Sequence, residues 1–357
     1  LDRELARSLP GPGEAAAGSV ERPAPVTTRS GPSPAPDGRR SAELPAGFEL
    51  VRELGRGGMG VVLLARQIET GREVVIKRML RSDDEEQRRR FVREARLLAQ
   101  LRHAHVPRVH GLEVGEQPYY IMDVIAGEDL KSRVRRVLEE TGRPLDGDAA
   151  IEIIQPICAA LRHCHEQGVL HRDIKPANLA VGETVHRKRH LTLFDFSLAA
   201  DPPDRINTGT PAWRDPWLHT RGRWDAAADR FAAAAVLYRM LTGDAIRHDP
   251  DQAELAIDAE RFDADLRGPL ATFFTKAFAP DAGDRHTSAE ALLEDWRALF
   301  RAAPEPSEDD RSGELPATLR PDSSINALPL STRARNVLDR AGVVNAADLA
   351  RLPRNHL

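Results

Sequence analysis

The sequence predicts an α+β protein of two lobes, a small antiparallel β-sheet carrying one helix followed by a mainly helical body. Three observations predict it. Residues 48–80 alternate apolar and polar side chains with turns at Gly55–Gly60 and Thr70-Gly71, so three successive strands are expected. Ser82-Asp83-Asp84-Glu85 reads as a capping box, and Phe91, Glu94, Ala95, Leu98 and Leu101 follow at helical spacing. After Gly127 long apolar-striped runs take over, at 129–140, 147–167, 225–242, 269–278 and 288–300.

Taken in order, residues 1–46 form a linker. Residues 1–9 read as the tail of an upstream helix, and eight prolines between Pro10 and Pro45 leave too little apolar surface to offset chain entropy. A sheet lobe is expected over 47–125, its last two strands at Val109–Gly111 and Tyr119–Val124. The helical lobe spans 126–302, interrupted by a short strand pair near 179–181 and 191–194. Residues 303–324 are acidic and poor in large apolar groups, a second linker. In 325–357, Ser331 is expected to cap a helix ending at Gly342, and Asn345 another running to Leu352 before Pro353.

The totals exclude several classes. Against 55 acidic side chains stand 51 basic ones, a net charge of −4, which argues against a whole-chain polyelectrolyte. Cys158 and Cys164 are the only cysteines, too few for a disulfide framework or a zinc ribbon; in an apolar helical run, buried thiols and a reducing, cytoplasmic setting are expected. No run approaches eighteen uninterrupted apolar residues, and the N-terminus lacks a signal-peptide layout, so no membrane segment is expected. Leu1 is not an initiator methionine, and the chain is expected to be cut or processed from something larger.

The chemistry concentrates in four short motifs. Gly55-Arg56-Gly57-Gly58-Met59-Gly60-Val61-Val62 sits between two expected strands, where glycines let backbone amides approach phosphate oxygens. Val74-Val75-Ile76-Lys77 ends an apolar strand in a lysine that needs a counter-ion, and Glu94 lies on the inward face of the capped helix; Arg90, one turn back, is its competing surface partner. His171-Arg172-Asp173-Ile174-Lys175-Pro176-Ala177-Asn178 is followed seventeen residues on by Asp195-Phe196-Ser197. These two offer a proton acceptor, a cation and two hard-oxygen ligands of the kind magnesium prefers.

In this order and spacing the set resembles the eukaryotic-like Ser/Thr protein kinases of bacteria. The resemblance implies a bilobal protein-kinase fold, ATP with Mg2+ (Mn2+ as an alternative), a protein substrate, and autophosphorylation as a further outcome. It implies that Gly55, Gly57, Gly58 and Gly60 cover the phosphates, that Val62 and Val75 wall the adenine slot, and that Ala180 floors it. Met122 takes the gatekeeper position, and Asp123, Val124 and Ile125 the hinge that reads the adenine edge. Lys77 is implied to hold the α- and β-phosphates with Glu94 as its partner, Asp173 to be the base and Lys175 to touch the transferring phosphate. Asn178 and Asp195 become the metal ligands. Arg172 would answer a phosphate on the activation segment, with Thr208 as the phosphosite and Thr210 as the residue bonding the base. A constitutively ordered short loop is the competing reading. Asp229 would steady the catalytic loop through its backbone amides.

Three departures from the family pattern stand out. Ser197 occupies a position usually held by glycine. Val75 replaces a small alanine while Ala180 replaces a leucine, so a displaced slot is expected by volume compensation. Asp215-Pro216-Trp217 replaces Ala-Pro-Glu, which removes the usual partner of an arginine matched here by Arg285. Asp215, Asp284 or another acid is expected to take over, or Arg285 to stack on Trp217. These departures leave a second reading, a nucleotide-binding pseudokinase that acts as scaffold or switch. His103, His105, His163 and His165 read as structural, and the hairpin His186-Arg187-Lys188-Arg189-His190 as a solvated turn with a lesser claim to bind phosphate or acidic partners.

Leu328–Arg335 through Gly342–Leu349 resembles a helix-hairpin-helix unit, with a likeness to the C-terminal domain of the bacterial RNA polymerase α subunit. That likeness implies contact with DNA or protein through 325–357, with Arg333, Arg335 and Arg340 nearby. A kinase followed by such a unit resembles the large kinases of bacterial phage-growth-limitation (BREX-type) defence systems.

Overall fold

Five strands build the first lobe: β1 (Phe48–Gly57), β2 (Gly60–Gln67), β3 (Glu73–Met79), β4 (Val109–Glu113) and β5 (Tyr119–Met122). The computed structural model describes residues 44–301, apart from 58–59, 81–83, 143, 146, 184–188, 247–254 and 263, together with 338, 343, 345, 347 and 348. Every pairing in this sheet is antiparallel, in the order β1-β2-β3-β5-β4. The central strands bury both faces. Ala65, Val74 and Ile76 pack with Phe48 and Ile121 on one side, while Leu54, Leu64 and Val75 meet Val62, Met122 and Val124 on the other. Gly60 has no room for a side chain, since a Cβ there would collide with the Arg78 carbonyl.

Helix α1 (Glu85–Gln100) lies on this lobe, its buried stripe running through Phe91, Val92, Glu94, Ala95 and Leu98. Its N-cap is Asp84, a correction to the expected capping box: the carboxylate accepts from the amides of Glu86 at 2.9 Å and Gln87 at 3.2 Å. Ser82 and Asp83 lie outside the described residues.

The second lobe contains α2 (Leu130–Thr141), α3 (Gly147–Glu166), α4 (Leu218–Arg221), α5 (Ala226–Thr242), α6 (Arg267–Ala277) and α7 (Ala289–Arg301). The long helices start and stop within a few residues of the expected bounds. A three-stranded sheet, β6 (Glu128–Asp129), β7 (Leu179–Glu183) and β8 (Arg189–Leu193), has its last two strands between the 171–178 and 195–197 motifs. The two-residue strand β6 is too short to leave an alternation pattern in the sequence. At Gly127, φ is +103° and a Cβ would strike the Val181 carbonyl, so only glycine lets the interlobe connection press against β7. In α5 the run Ala232–Ala235 is buried, which brings α3 and α5 close around Phe231, Leu237 and Tyr238. Cys158 and Cys164 are buried free thiols, each pushed up to about 12 by burial.

No described helix is long and apolar enough to cross a membrane. Residues 1–43 and 303–324, Gly58, Ser331 and the hairpin tip at 186–188 lie outside the described residues. In the C-terminal segment the Asn345 side chain accepts from the Asp348 amide at 2.9 Å, the spacing of an N-cap.

Candidate active site

A cleft of about 980 Å³ opens between the lobes. Gly55, Gly57, Gly60, Val62, Val75, Lys77, Glu94 and Met122 line it from above, and Lys175, Asn178 and Asp195 from below, so most of the predicted site residues share one cavity. Val124 packs beside Val62 and Met122 at its edge, and Ile125 reaches the lining. Asp173 stands just behind the lining, held to Lys175 and Asn178 that form it, and two further predicted residues turn away from it or stop short of it. The Asp123 carboxylate turns away and accepts from Arg72 at 2.8 Å, the His110 ring at 2.7 Å and the Arg108 amide at 3.2 Å. Ala180 is buried on β7, but its single methyl does not reach the lining, where Ala177, Asn178 and Phe194 stand instead.

On β3, Lys77 points across the sheet at Tyr120, its register partner on β5. Its Nζ lies 2.6 Å from Glu94 Oε1, and the Tyr120 hydroxyl donates to the same oxygen at 2.9 Å. Glu94 is 2% exposed and Lys77 14%. Burial alone would lower the Lys77 pKa; the charge of Glu94, with Tyr120 and Asp195, more than offsets this and raises it, so the ammonium stays charged. Sequence reasoning missed Tyr120, whose only signal was its place opposite Lys77.

The lower wall is organised around Asp173. Its Oδ1 accepts from the Thr210 hydroxyl at 2.7 Å and the Thr210 amide at 3.2 Å; its Oδ2 lies 2.6 Å from Lys175 Nζ and 3.0 Å from Asn178 Nδ2. Lys175 also donates to the Thr210 hydroxyl at 2.9 Å. Asn178 Nδ2 is further held by the Asp173 carbonyl at 2.8 Å, which leaves Oδ1 as the ligand atom this side chain can offer.

Below this, Asp229 accepts from the amides of His171 at 2.9 Å and Arg172 at 2.8 Å, with the His165 ring 3.0 Å away. Arg172 has φ +66° and Asp195 φ +65°, the two described non-glycine residues with positive φ. Such backbones cost roughly 1–3 kcal/mol each and persist where surrounding contacts hold them. The Asp229 clamp does so at Arg172. At Asp195, the next residue, Phe196, is fully buried and edge-on to the His171 ring at 4.5 Å. His171 Nδ1 accepts from the Asp173 amide at 3.3 Å, so its Nε2 carries the proton and donates to the Phe194 carbonyl at 3.0 Å.

Ser197 takes part in the site. Its hydroxyl donates to Asp195 Oδ1 and lies 3.5 Å from Lys77 Nζ. Burial alone would raise the Asp195 pKa, but the Lys77 charge and the Ser197 hydrogen bond hold it below the usual carboxylate range. Among the described residues no group of three or more His, Cys, Asp and Glu side chains could hold a metal ion. Two oxygen ligands are, however, what magnesium takes from protein when phosphate supplies the rest.

Asp215 replaces the missing carboxylate, one of the acids expected. It pairs with Arg285 at 2.5 and 3.2 Å, while the guanidinium carbon also sits 5.7 Å from the Trp217 ring and 5.2 Å from Phe231. Thr208 donates its hydroxyl to the Arg205 carbonyl at 2.8 Å. Among the histidines, His163 accepts from the Arg102 amide at 3.2 Å and His105 bonds the Leu191 carbonyl at 2.7 Å, both structural contacts.

Sheet lobe, helical lobe and a cleft with a charged lysine above two carboxylates define a two-lobed protein with one strongly charged interlobe cavity. The protein kinase domain model matches residues 48–297, and the chain belongs to that family. It is 37% identical over 209 residues to the serine/threonine-protein kinase PknF of Mycobacterium tuberculosis, covering 56% of this chain and 43% of that protein. The probable kinase PglW of Streptomyces coelicolor is 29% identical over 334 residues, 84% of this chain and 21% of that protein. Among solved structures, the M. tuberculosis PknI kinase domain superposes with a TM-score of 0.57 at 26% identity, over 73% of this chain and 100% of that one. The chain spans less than half the length of these curated relatives. Members of the family use ATP with a divalent metal.

Proposed function

We propose that this chain transfers the γ-phosphoryl group of ATP to a serine or threonine hydroxyl of a protein, itself included. The observation that carries this reading is the convergence of Thr210, Lys175 and Asn178 on the Asp173 carboxylate, in the cleft that also holds the Lys77–Glu94 pair. Phosphoryl transfer needs positioning and charge stabilisation more than covalent chemistry, and these groups supply both. Asp173 orients the attacking hydroxyl and takes its proton. Lys175 and Lys77 neutralise phosphate oxygens, and the Gly55–Gly60 turn covers them with backbone amides. Asn178 and Asp195 would hold Mg2+, or Mn2+ in its place; the donor set fits, and the ion would neutralise charge between the phosphates. A lower seat for adenine belongs to the same proposal and rests on Val75 reaching the lining while the smaller Ala180 stops short of it.

The alternative, a nucleotide-binding scaffold or switch, draws on one observation: the Ser197 hydroxyl already bonds the metal-ligand candidate Asp195. Autophosphorylation with labelled ATP, compared with Asp173→Ala, separates the readings. Incorporation by the parent and not by the variant supports the enzyme, and equal incorporation removes it.

The same proposal divides the chain into a linker at 1–46, lobes at 47–125 and 126–302, an acidic linker at 303–324 and a helix-hairpin-helix-like unit at 325–357 that contacts DNA or protein. A cytoplasmic location is supported by the two buried free thiols. The PglW alignment covers more of the chain than the PknF alignment does and only 21% of PglW, which supports a module of a larger bacterial protein; the regulatory role and the phage-defence setting rest on the kinase being followed by a helix-hairpin-helix-like unit.

A further inference from the structure

The stretch after Asp195-Phe196-Ser197 is tied down on three sides by groups the chain already carries. The Asp201 carboxylate is shielded from solvent. Arg90 of α1 grips it at two points, Nη2 donating to Oδ2 at 2.9 Å and Nε lying 2.7 Å from Oδ1, off the ideal donor angle. One turn along the helix surface, Arg93 donates to the Ala200 carbonyl at 2.9 Å. From below, Arg172 Nη1 donates to the carbonyls of Leu198 at 3.3 Å, Asp201 at 2.5 Å and Pro202 at 3.2 Å. At the start of the helix, Glu86 pairs with Arg205 at 2.5 Å.

We infer that Asp201 is a resident anchor that orders the activation segment and sets α1, so that the Lys77–Glu94 pair forms without phosphorylation of the segment. The inference rests on the catalytic reading above for its effect on rate, and on geometry alone for its effect on order. Arg90, Arg93 and Arg172 are the cations beside this stretch that a segment phosphate would recruit, and each already has its acceptor. Arg90 sits one turn before Glu94 on the same helix, so pinning Arg90 to Asp201 fixes the rotation and depth at which Glu94 meets Lys77. A two-point guanidinium–carboxylate pair gives that geometry direction as well as charge. Thr208 spends its hydroxyl within its own turn, on the Arg205 carbonyl. Asp201 and Arg90 are therefore positioning residues that act through Glu94.

The test uses the full chain expressed with a phosphatase and verified by mass to carry no phosphate, as parent, Thr208→Ala, Asp201→Asn and Arg90→Lys. Two readouts are taken: kcat with KM for ATP, and hydrogen exchange of 198–205. The expected result is a parent and a Thr208→Ala variant within about twofold of the phosphorylated enzyme, with 198–205 protected. Asp201→Asn loses at least about tenfold in kcat and releases that segment, while Arg90→Lys, which keeps charge but one contact point, falls between. Should Asp201→Asn fail to fold, Arg90→Lys decides by the same readouts. An unphosphorylated parent below about a tenth of the phosphorylated rate overturns the inference, as does an Asp201→Asn variant with unchanged kcat and exchange. If no variant transfers phosphate, yet 198–205 is protected in the parent and released in Asp201→Asn, the anchor stands and the catalytic reading falls.

Discussion

Asp215 and Arg285, seventy residues apart, meet in a two-point ion pair with the arginine 2% exposed and the aspartate fully buried. The pair lies under Trp217 and Phe231, and Arg221 contacts the same carboxylate at 2.5 Å. Where the family pattern places a glutamate two residues further on, this chain moves the carboxylate back by two positions and keeps the charge balance. Asp215→Ala strands the Arg285 guanidinium in a buried site, an arrangement that costs roughly 3–5 kcal/mol. Melting should fall by about 6–20 °C for a domain of this size. An unchanged melting temperature would assign the balancing charge to another acid.

The Asp229 carboxylate makes stability depend on acid. Burial alone would raise its pKa; the His165 hydrogen bond, nearby His165 and His171, and the Arg172 amide outweigh burial and hold it below the ordinary range. Between the depressed folded value and the unfolded value of about 3.9, the unfolded chain binds the extra proton. The contribution is therefore complete above the unfolded value and is lost as pH falls through the folded one. Urea unfolding of Asp229→Asn against the parent should show its largest gap at neutral pH, narrowing below about pH 4. A gap constant from pH 7 to pH 3 would contradict this.

Tyr120→Phe removes the hydroxyl that donates to Glu94 Oε1 inside the core. Hydrogen bonds to charged groups contribute roughly 1.5–3 kcal/mol, and here the loss falls on the residue that orients Lys77. A drop of about tenfold or more in kcat/KM is expected, with the fold retained by circular dichroism. Steady-state rates within twofold of the parent would show that Glu94 is held by α1 alone.

Ser197→Gly frees Asp195 from a hydrogen bond and gives the turn the residue usual in the family. Removing a competitor of roughly 1.5–3 kcal/mol should tighten the apparent metal requirement by about tenfold or more. Magnesium titration of the phosphoryl-transfer rate checks this. A weaker metal requirement in the variant would mean that Ser197 helps to aim the carboxylate.

The helices, strands and motif order were legible because each depends on neighbours a few residues away. The apolar stripe through Phe91, Ala95 and Leu98 predicted α1, and the chemistry of Lys77, Asp173, Asn178 and Asp195 predicted a shared cleft; Lys77, Asn178 and Asp195 line one cavity, with Asp173 bonded to Asn178 behind it. The misses have local causes as well. Asp84 caps α1 because its carboxylate reaches two amides at once, a choice that three neighbouring capping residues in a row do not disclose. Ala180 was placed on the slot floor by its position in the motif, whereas reaching the lining depends on side-chain length.

By its local pattern alone, this chain determined two lobes, a glycine turn over a lysine, and a polar catalytic stretch between short strands. Which charges pair was decided only on folding. With 51 basic and 55 acidic side chains, spacing cannot say that Arg90 finds Asp201 at a separation of 111 residues or that Arg285 finds Asp215 at 70. Long-range partners are selected by where helices and loops pack, since a buried charge tolerates only the partner that shares its site.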